Sequence, residues 1–93
     1  MSIISFGCTE TKALFEGEFV SRFVNIRVVA ERKLQQLDSA ATLSFLKSPP
    51  GNRLEKLSGN RAGQYSIRIN EQWRICFVWT GEGPARLEIV DYH

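Results

Sequence analysis

The chain has 93 residues, 43% of them hydrophobic, 24% charged and 11% aromatic, with a formal net charge of +2. At this size about 60–65% of the unfolded surface is buried on folding, enough for one core spanning residues 1–93 and too little for a full Rossmann sheet or TIM barrel. No uncharged run approaches the roughly 18 apolar residues of a membrane span, and MSIISFGCTE lacks the basic lead of a secretory signal.

Residues Ile3 to Phe6 are a short β-prone run and read as a first strand. Thr9 suits a helix N-cap, with Glu10 where the helix dipole favours an anion, so a short helix is expected over Glu10 to Glu16, closed by Gly17. From Asn25 to Leu37, Ile26, Ala30, Leu34 and Leu37 recur at helical steps. Arg27, Arg32, Lys33, Gln35 and Gln36 fall mostly elsewhere on the wheel. Arg22, Arg27, Arg32 and Lys33 therefore read as solvent-facing or as partner contacts. Asp38-Ser39 begins the break, and Ala41 to Leu46 can add one more helical turn. Ser48-Pro49-Pro50-Gly51-Asn52 reads as a connector, a hinge within one domain.

The second half reads as a sheet. Residues 64 to 70 alternate, with Tyr65, Ile67 and Ile69 on one side. Residues 73 to 80 alternate again, with Trp73, Ile75, Phe77 and Trp79 apolar. Gly81 to Pro84 is a turn, and residues 85 to 92 form a last strand. Both apolar sets must share one side of the sheet. Pairs whose numbers sum to 142 achieve this: Ile69 with Trp73, Ile67 with Ile75, Tyr65 with Phe77. The tryptophans and Tyr65 then read as core.

That register sets Arg68 opposite Arg74 on the other side. Facing like charges are destabilising and call for an anion, either a nearby acid or a bound phosphate. Charge is concentrated around them. Residues 47 to 74 carry six basic groups (Lys47, Arg53, Lys56, Arg61, Arg68, Arg74) against two acids (Glu55, Glu71). A phosphate-facing surface and a solvated face both fit this distribution. Arg53 and Arg61 flank loops, where they could touch an RNA backbone.

No phosphate-binding loop, nucleophile elbow or zinc spacing is present, and no metal or other cofactor is expected. Cys8 and Cys76 read as reduced thiols, as in a cytoplasmic protein. What remains is Asp91-Tyr92-His93. A terminal histidine is ordinarily a frayed chain end, but a histidine titrating near neutrality, a tyrosine and an aspartate together also match the groups that cutting RNA without a metal needs, and Arg68 and Arg74 could be the cations. Strict alternation sets Tyr92, with Glu88 and Val90, on the opposite side from Leu87, Ile89 and Asp91.

The order of elements, the segment LSGNRAGQYSIRINEQWRICF and the closing DYH together resemble the HigB-type toxins, GraT-like members among them, in the RelE/ParE superfamily of bacterial type II toxin–antitoxin systems. The resemblance spans essentially the whole chain. It implies an α+β, RelE-like fold, with N-terminal helices packed on one face of a small, mainly antiparallel twisted sheet and the cleft on the other. It implies a metal-independent endoribonuclease that cleaves mRNA in the ribosomal A site. It also implies a HigA-type helix-turn-helix antitoxin, with DNA contacted only through that complex. Asp91, Tyr92 and His93 match the family's terminal catalytic set, and Arg74 matches an arginine facing the cleft. Glu55 stands where some members carry a histidine, and Ser58 where they carry a lysine. Glu55 is thus a candidate base beside His93 as acid, and Lys56, Arg61, Arg68 and Arg53 are candidate RNA contacts. Two other functions fit the same sequence: a ribosome- or RNA-binding growth inhibitor that does not cut, and an interaction protein whose only ligand is the antitoxin.

Overall fold

The computed structural model describes residues 2–91. Helices come first and strands last: α1 (Thr9–Phe15), α2 (Arg27–Ser39), β1 (Glu55–Lys56), β2 (Tyr65–Arg68), β3 (Trp73–Thr80) and β4 (Gly83–Asp91). The strands form one antiparallel sheet in the order β1-β2-β3-β4, with the helices packed on one side: the expected α+β, RelE-like layout.

The apolar stripe of α2 is buried as its spacing requires. Ile26 is 5% exposed, and Ala30, Leu34 and Leu37 are fully enclosed. They meet Leu14 of α1 and Ile67, Ile75, Phe77, Leu87 and Ile89 of the sheet. The helix begins two residues later than expected, because Ile26 holds the N-cap position and its carbonyl accepts from Ala30 N–H at 2.8 Å. A 3-10 turn at Ser21–Phe23 seats Phe23 in the core just before it. Lys33, expected in solvent, is buried at 8% exposure beside the 48–52 connector.

Thr9 does not cap α1. Cys8 holds that position without a side-chain bond, and the helix runs from Thr9 itself. The reason lies upstream, where Gly7 N–H donates to the Leu87 carbonyl at 2.8 Å and fixes where the chain enters the helix. A Cβ on Gly7 would stand 3.2 Å from the Arg86 carbonyl oxygen, a tight contact that the backbone of β4 would have to yield to, so this approach favours glycine. At the other end, Gly17 (φ +87°) takes the left-handed position. Glu18 N–H returns to the Ala13 carbonyl at 2.9 Å, a Schellman closure.

The expected first strand is not a ladder strand. Residues 3 to 6 run beside β4 with a single parallel bridge, Phe6 to Leu87. The ladder is interrupted by a bulge between Cys76 and Val78, where Arg86 sits at φ +56° and its N–H goes to the Ser5 hydroxyl instead.

The first hairpin has the expected register: Tyr65 with Phe77, Ser66 with Cys76, Ile67 with Ile75 and Arg68 with Arg74. The turn before β4 is shorter than expected. Thr80 pairs with Gly83, which leaves Gly81 and Glu82 at the tip. The turn after α2 is 3-10, Leu43–Lys47, capped by the Thr42 hydroxyl. The two-residue β1 is an addition for which the sequence carries no periodic signal.

Candidate active site

Pairing across the sheet places two rows of side chains on the side away from the helices. One row is Glu55, Ser66, Cys76 and Glu88; the other is Arg68, Arg74 and Val90. Alternation puts Ile67, Ile75 and Ile89 on the opposite side, so this polar face follows from the same pattern that builds the core.

Arg74 lies at its centre and is 6% exposed. Its Nε donates to the Ser66 hydroxyl at 2.7 Å, and its Nη2 to the Arg53 carbonyl at 2.6 Å. Glu55 Oε1 stands 3.4 Å from Nη2. A buried guanidinium needs this density of acceptors to offset lost hydration. The anion called for by the Arg68–Arg74 pairing is thus present within the chain, as Glu55. The two arginines also diverge: Arg68 Nε donates to the Asn70 carbonyl at 3.1 Å, toward the hairpin loop.

Arg61 approaches from the 3-10 turn Gly59–Arg61 and bonds Gln64 at 3.2 Å and Glu88 at 3.3 Å. Cys76, next to Glu88 in its row, is fully enclosed. Burial pushes its thiol up, Arg61 and Arg74 draw it down, and Glu88 raises it again. Cys8 and Cys76 are both free.

The structure therefore brings Arg74, Glu55, Arg61 and Arg68 to one face, with the Arg53 backbone beside them. Lys56 is not part of it. It pairs with Tyr65, so alternation directs it to the helix side, where it is exposed. Asp91 ends the described part of β4 opposite Trp73 and accepts from Gln72 Nε2 at 3.1 Å. Tyr92 and His93 lie outside the described residues. Ser66 and Glu88 join the site although sequence reasoning does not single them out. Their signal is present, since Ser66 lies two residues from Arg68 on the polar face and Glu88 alternates onto the same face with Val90.

Residues 15–93 match the HigB-like toxin family, RelE-like toxins of the type II toxin–antitoxin system HigB. The chain belongs to that family. Toxin HigB-1 of Vibrio cholerae is 48% identical over 62 residues, which cover 67% of this chain and 64% of that protein. An uncharacterized protein of Haemophilus influenzae is 38% identical over 55 residues, covering 59% of this chain and 54% of that protein. The chain thus spans less than two thirds of the length of each relative. The HigB-like match takes in α2 and the whole sheet, and with them every residue of the polar face. Among the described residues no helix is long and apolar enough to cross a membrane.

Proposed function

We propose that this HigB-like toxin is a ribosome-dependent mRNA endoribonuclease of the cytoplasm. It acts as one domain over residues 1–93, cuts in the A site without a metal ion, and is held in check by a HigA-type helix-turn-helix antitoxin through which alone it meets DNA. The observation that carries this reading is Arg74: a guanidinium fixed by Ser66 and Arg53 at the centre of a polar sheet face, with Glu55 at 3.4 Å.

In this reaction a base takes the proton of a 2′-hydroxyl. The O2′–phosphorus bond forms, the phosphorus–O5′ bond breaks, and an acid protonates the departing 5′-oxygen. The products are a 2′,3′-cyclic phosphate and a 5′-hydroxyl. Charge gathering on the phosphoryl oxygens is met by Arg74, with Arg68 and Arg61 on the same face. Glu55 takes the base role, His93 the acid role, and Asp91 and Tyr92 complete the set. Arg53, beside that face, contacts RNA backbone; Lys56, directed to the helix side, takes no part.

The test is a reconstituted translation reaction on a defined mRNA, read by primer extension for wild type, His93→Ala and Arg74→Ala. Codon-phased cuts from wild type alone establish the nuclease and both residues. Equal cutting by His93→Ala removes the histidine from the chemistry. A second reading, binding without cutting, is favoured by Glu55: a carboxylate beside Arg74 partly neutralises it. Arrest of translation with intact mRNA selects that reading.

A further inference from the structure

The connector between α2 and the sheet, read as a hinge, is one of the most tightly bonded parts of the protein. Asn52 closes the 3-10 turn Pro50–Asn52 and is fully buried. Its side-chain Nδ2 donates to Gln36 Oε1 at 3.0 Å, to the Leu46 carbonyl at 3.0 Å and to the Ser48 carbonyl at 3.3 Å. Its Oδ1 accepts from Lys33 Nζ. An ammonium can only donate, so Lys33 fixes which way round the amide sits. Gln36, one turn along α2, adds a bond of its own to the Ser48 carbonyl at 2.7 Å.

Lys33 has no carboxylate partner among the described residues. Burial, and then neighbouring Arg32, hold its ammonium below its usual range. A desolvated cation without a counter-ion is a costly element. The residues just beyond Asn52 give it a purpose. Arg53 comes next, in the left-handed region at φ 45°, ψ 58°, which a residue with a side chain adopts only when its surroundings impose it. Its carbonyl receives the Arg74 guanidinium at 2.6 Å. Two residues on, Glu55 is tied to Ser66 by β1–β2 pairing.

We propose that Lys33 and Asn52 are positioning residues for Arg74: by locking the connector they aim the Arg53 carbonyl, and with it the guanidinium, across the polar face. The link runs from the outer layer of α2 to the centre of the sheet through named bonds, and neither residue touches the polar face itself. The functional consequence rests on the nuclease reading above; the geometric claim does not.

The test uses the full chain. Arg74 Nε–H donates to a buried hydroxyl, so it gives a guanidinium N–H NMR signal that exchanges slowly with water. Asn52→Ala removes all four bonds of the amide. The Arg74 signal then shifts and exchanges at least about tenfold faster, while the backbone signals of β3 keep their positions. Lys33→Met removes one donor at similar volume and moves the signal the same way by less. An unmoved Arg74 signal in either folded variant overturns the proposal; should Asn52→Ala fail to fold, Lys33→Met decides alone.

Cleavage is measured beside it. Asn52→Ala lowers kcat by about tenfold to a hundredfold with little change in KM, the usual cost of a small misplacement. Added to Arg74→Ala it costs nothing more, whereas an additive loss overturns the positioning role. If wild-type protein does not cut, the nuclease reading falls and the NMR comparison still decides the geometry.

Discussion

At their centres the two sides of the sheet are buried to nearly the same degree by opposite means, although toward its margins the polar side opens at Glu55, Arg68 and Glu88. On the helix side Ile67, Ile75, Phe77, Leu87 and Ile89 are at most 1% exposed and are held by non-directional packing. On the other side Ser66, Cys76 and Arg74 are enclosed almost as fully, at 0%, 0% and 6%, yet there the buried side-chain nitrogens and oxygens of the described residues are met by directed bonds. Packing tolerates a change of shape at similar volume; directed bonds tolerate neither the loss nor the turning of a partner. The first side thus sets whether the protein folds, and the second sets where its charges stand.

The largest effect is expected on the packed side. Phe77→Ala opens a cavity in a fully enclosed site and costs about 3–5 kcal/mol, measured by urea unfolding with unchanged m-value. Arg74→Met breaks the comparison the other way. It leaves the Ser66 hydroxyl and Arg53 carbonyl short of a donor, at about 1–3 kcal/mol, yet lowers RNA cleavage by on the order of a hundredfold or more. A variant that loses stability and activity in proportion would show that Arg74 is only a structural group.

Arg68→Ala should be nearly silent in stability, within about 0.5 kcal/mol, because among the described residues its side chain bonds only a loop carbonyl at the hairpin. Its effect belongs in ribosome affinity, where the dependence on salt concentration becomes shallower by about one phosphate contact.

The smallest effect is at Cys76. Its thiol is raised above the usual value of 9.0, chiefly by burial. The folded state therefore keeps this proton to higher pH than the unfolded state does. Its stabilising contribution is complete below pH 9.0 and is lost as pH rises through the raised value. Against Cys76→Ala, wild type should hold a constant stability difference at neutral pH and lose ground only in alkaline solution. A difference that stays flat there would remove the thiol from the account.

The sequence was legible where burial follows a period. Alternation in residues 64 to 80 gave the hairpin register residue by residue, and the stripe of α2 gave its buried face. The same alternation exposed the arginine pair on the polar side. It was not legible where side chains bond to backbone across the chain. Nothing in the local pattern distinguishes Asn52 from any loop asparagine, or Lys33 from Arg32 beside it. The chain's own answer to the arginine pair, Glu55, lies in a two-residue strand that has no period to read. Thr11 is a similar case: its hydroxyl accepts from Ile89 N–H at 3.0 Å and ties α1 to β4, a link that no spacing rule anticipates.

One consequence of the bulge at Arg86 concerns the rim of the sheet. A bare strand edge offers unpaired backbone groups to any neighbouring chain, and it is a common route to aggregation. Where the bulge opens the ladder, residues 4 to 7 close over the first half of β4: Ile4 N–H reaches the Pro84 carbonyl at 2.8 Å, and Gly7 N–H reaches Leu87. The second half carries Glu88 and Asp91, charges that discourage a partner strand. The opposite rim is β1, only two residues long and too short to template a ladder. This HigB-like toxin thus presents no long open edge among its described residues, the arrangement that guards a small, sheet-rich fold against edge-to-edge pairing.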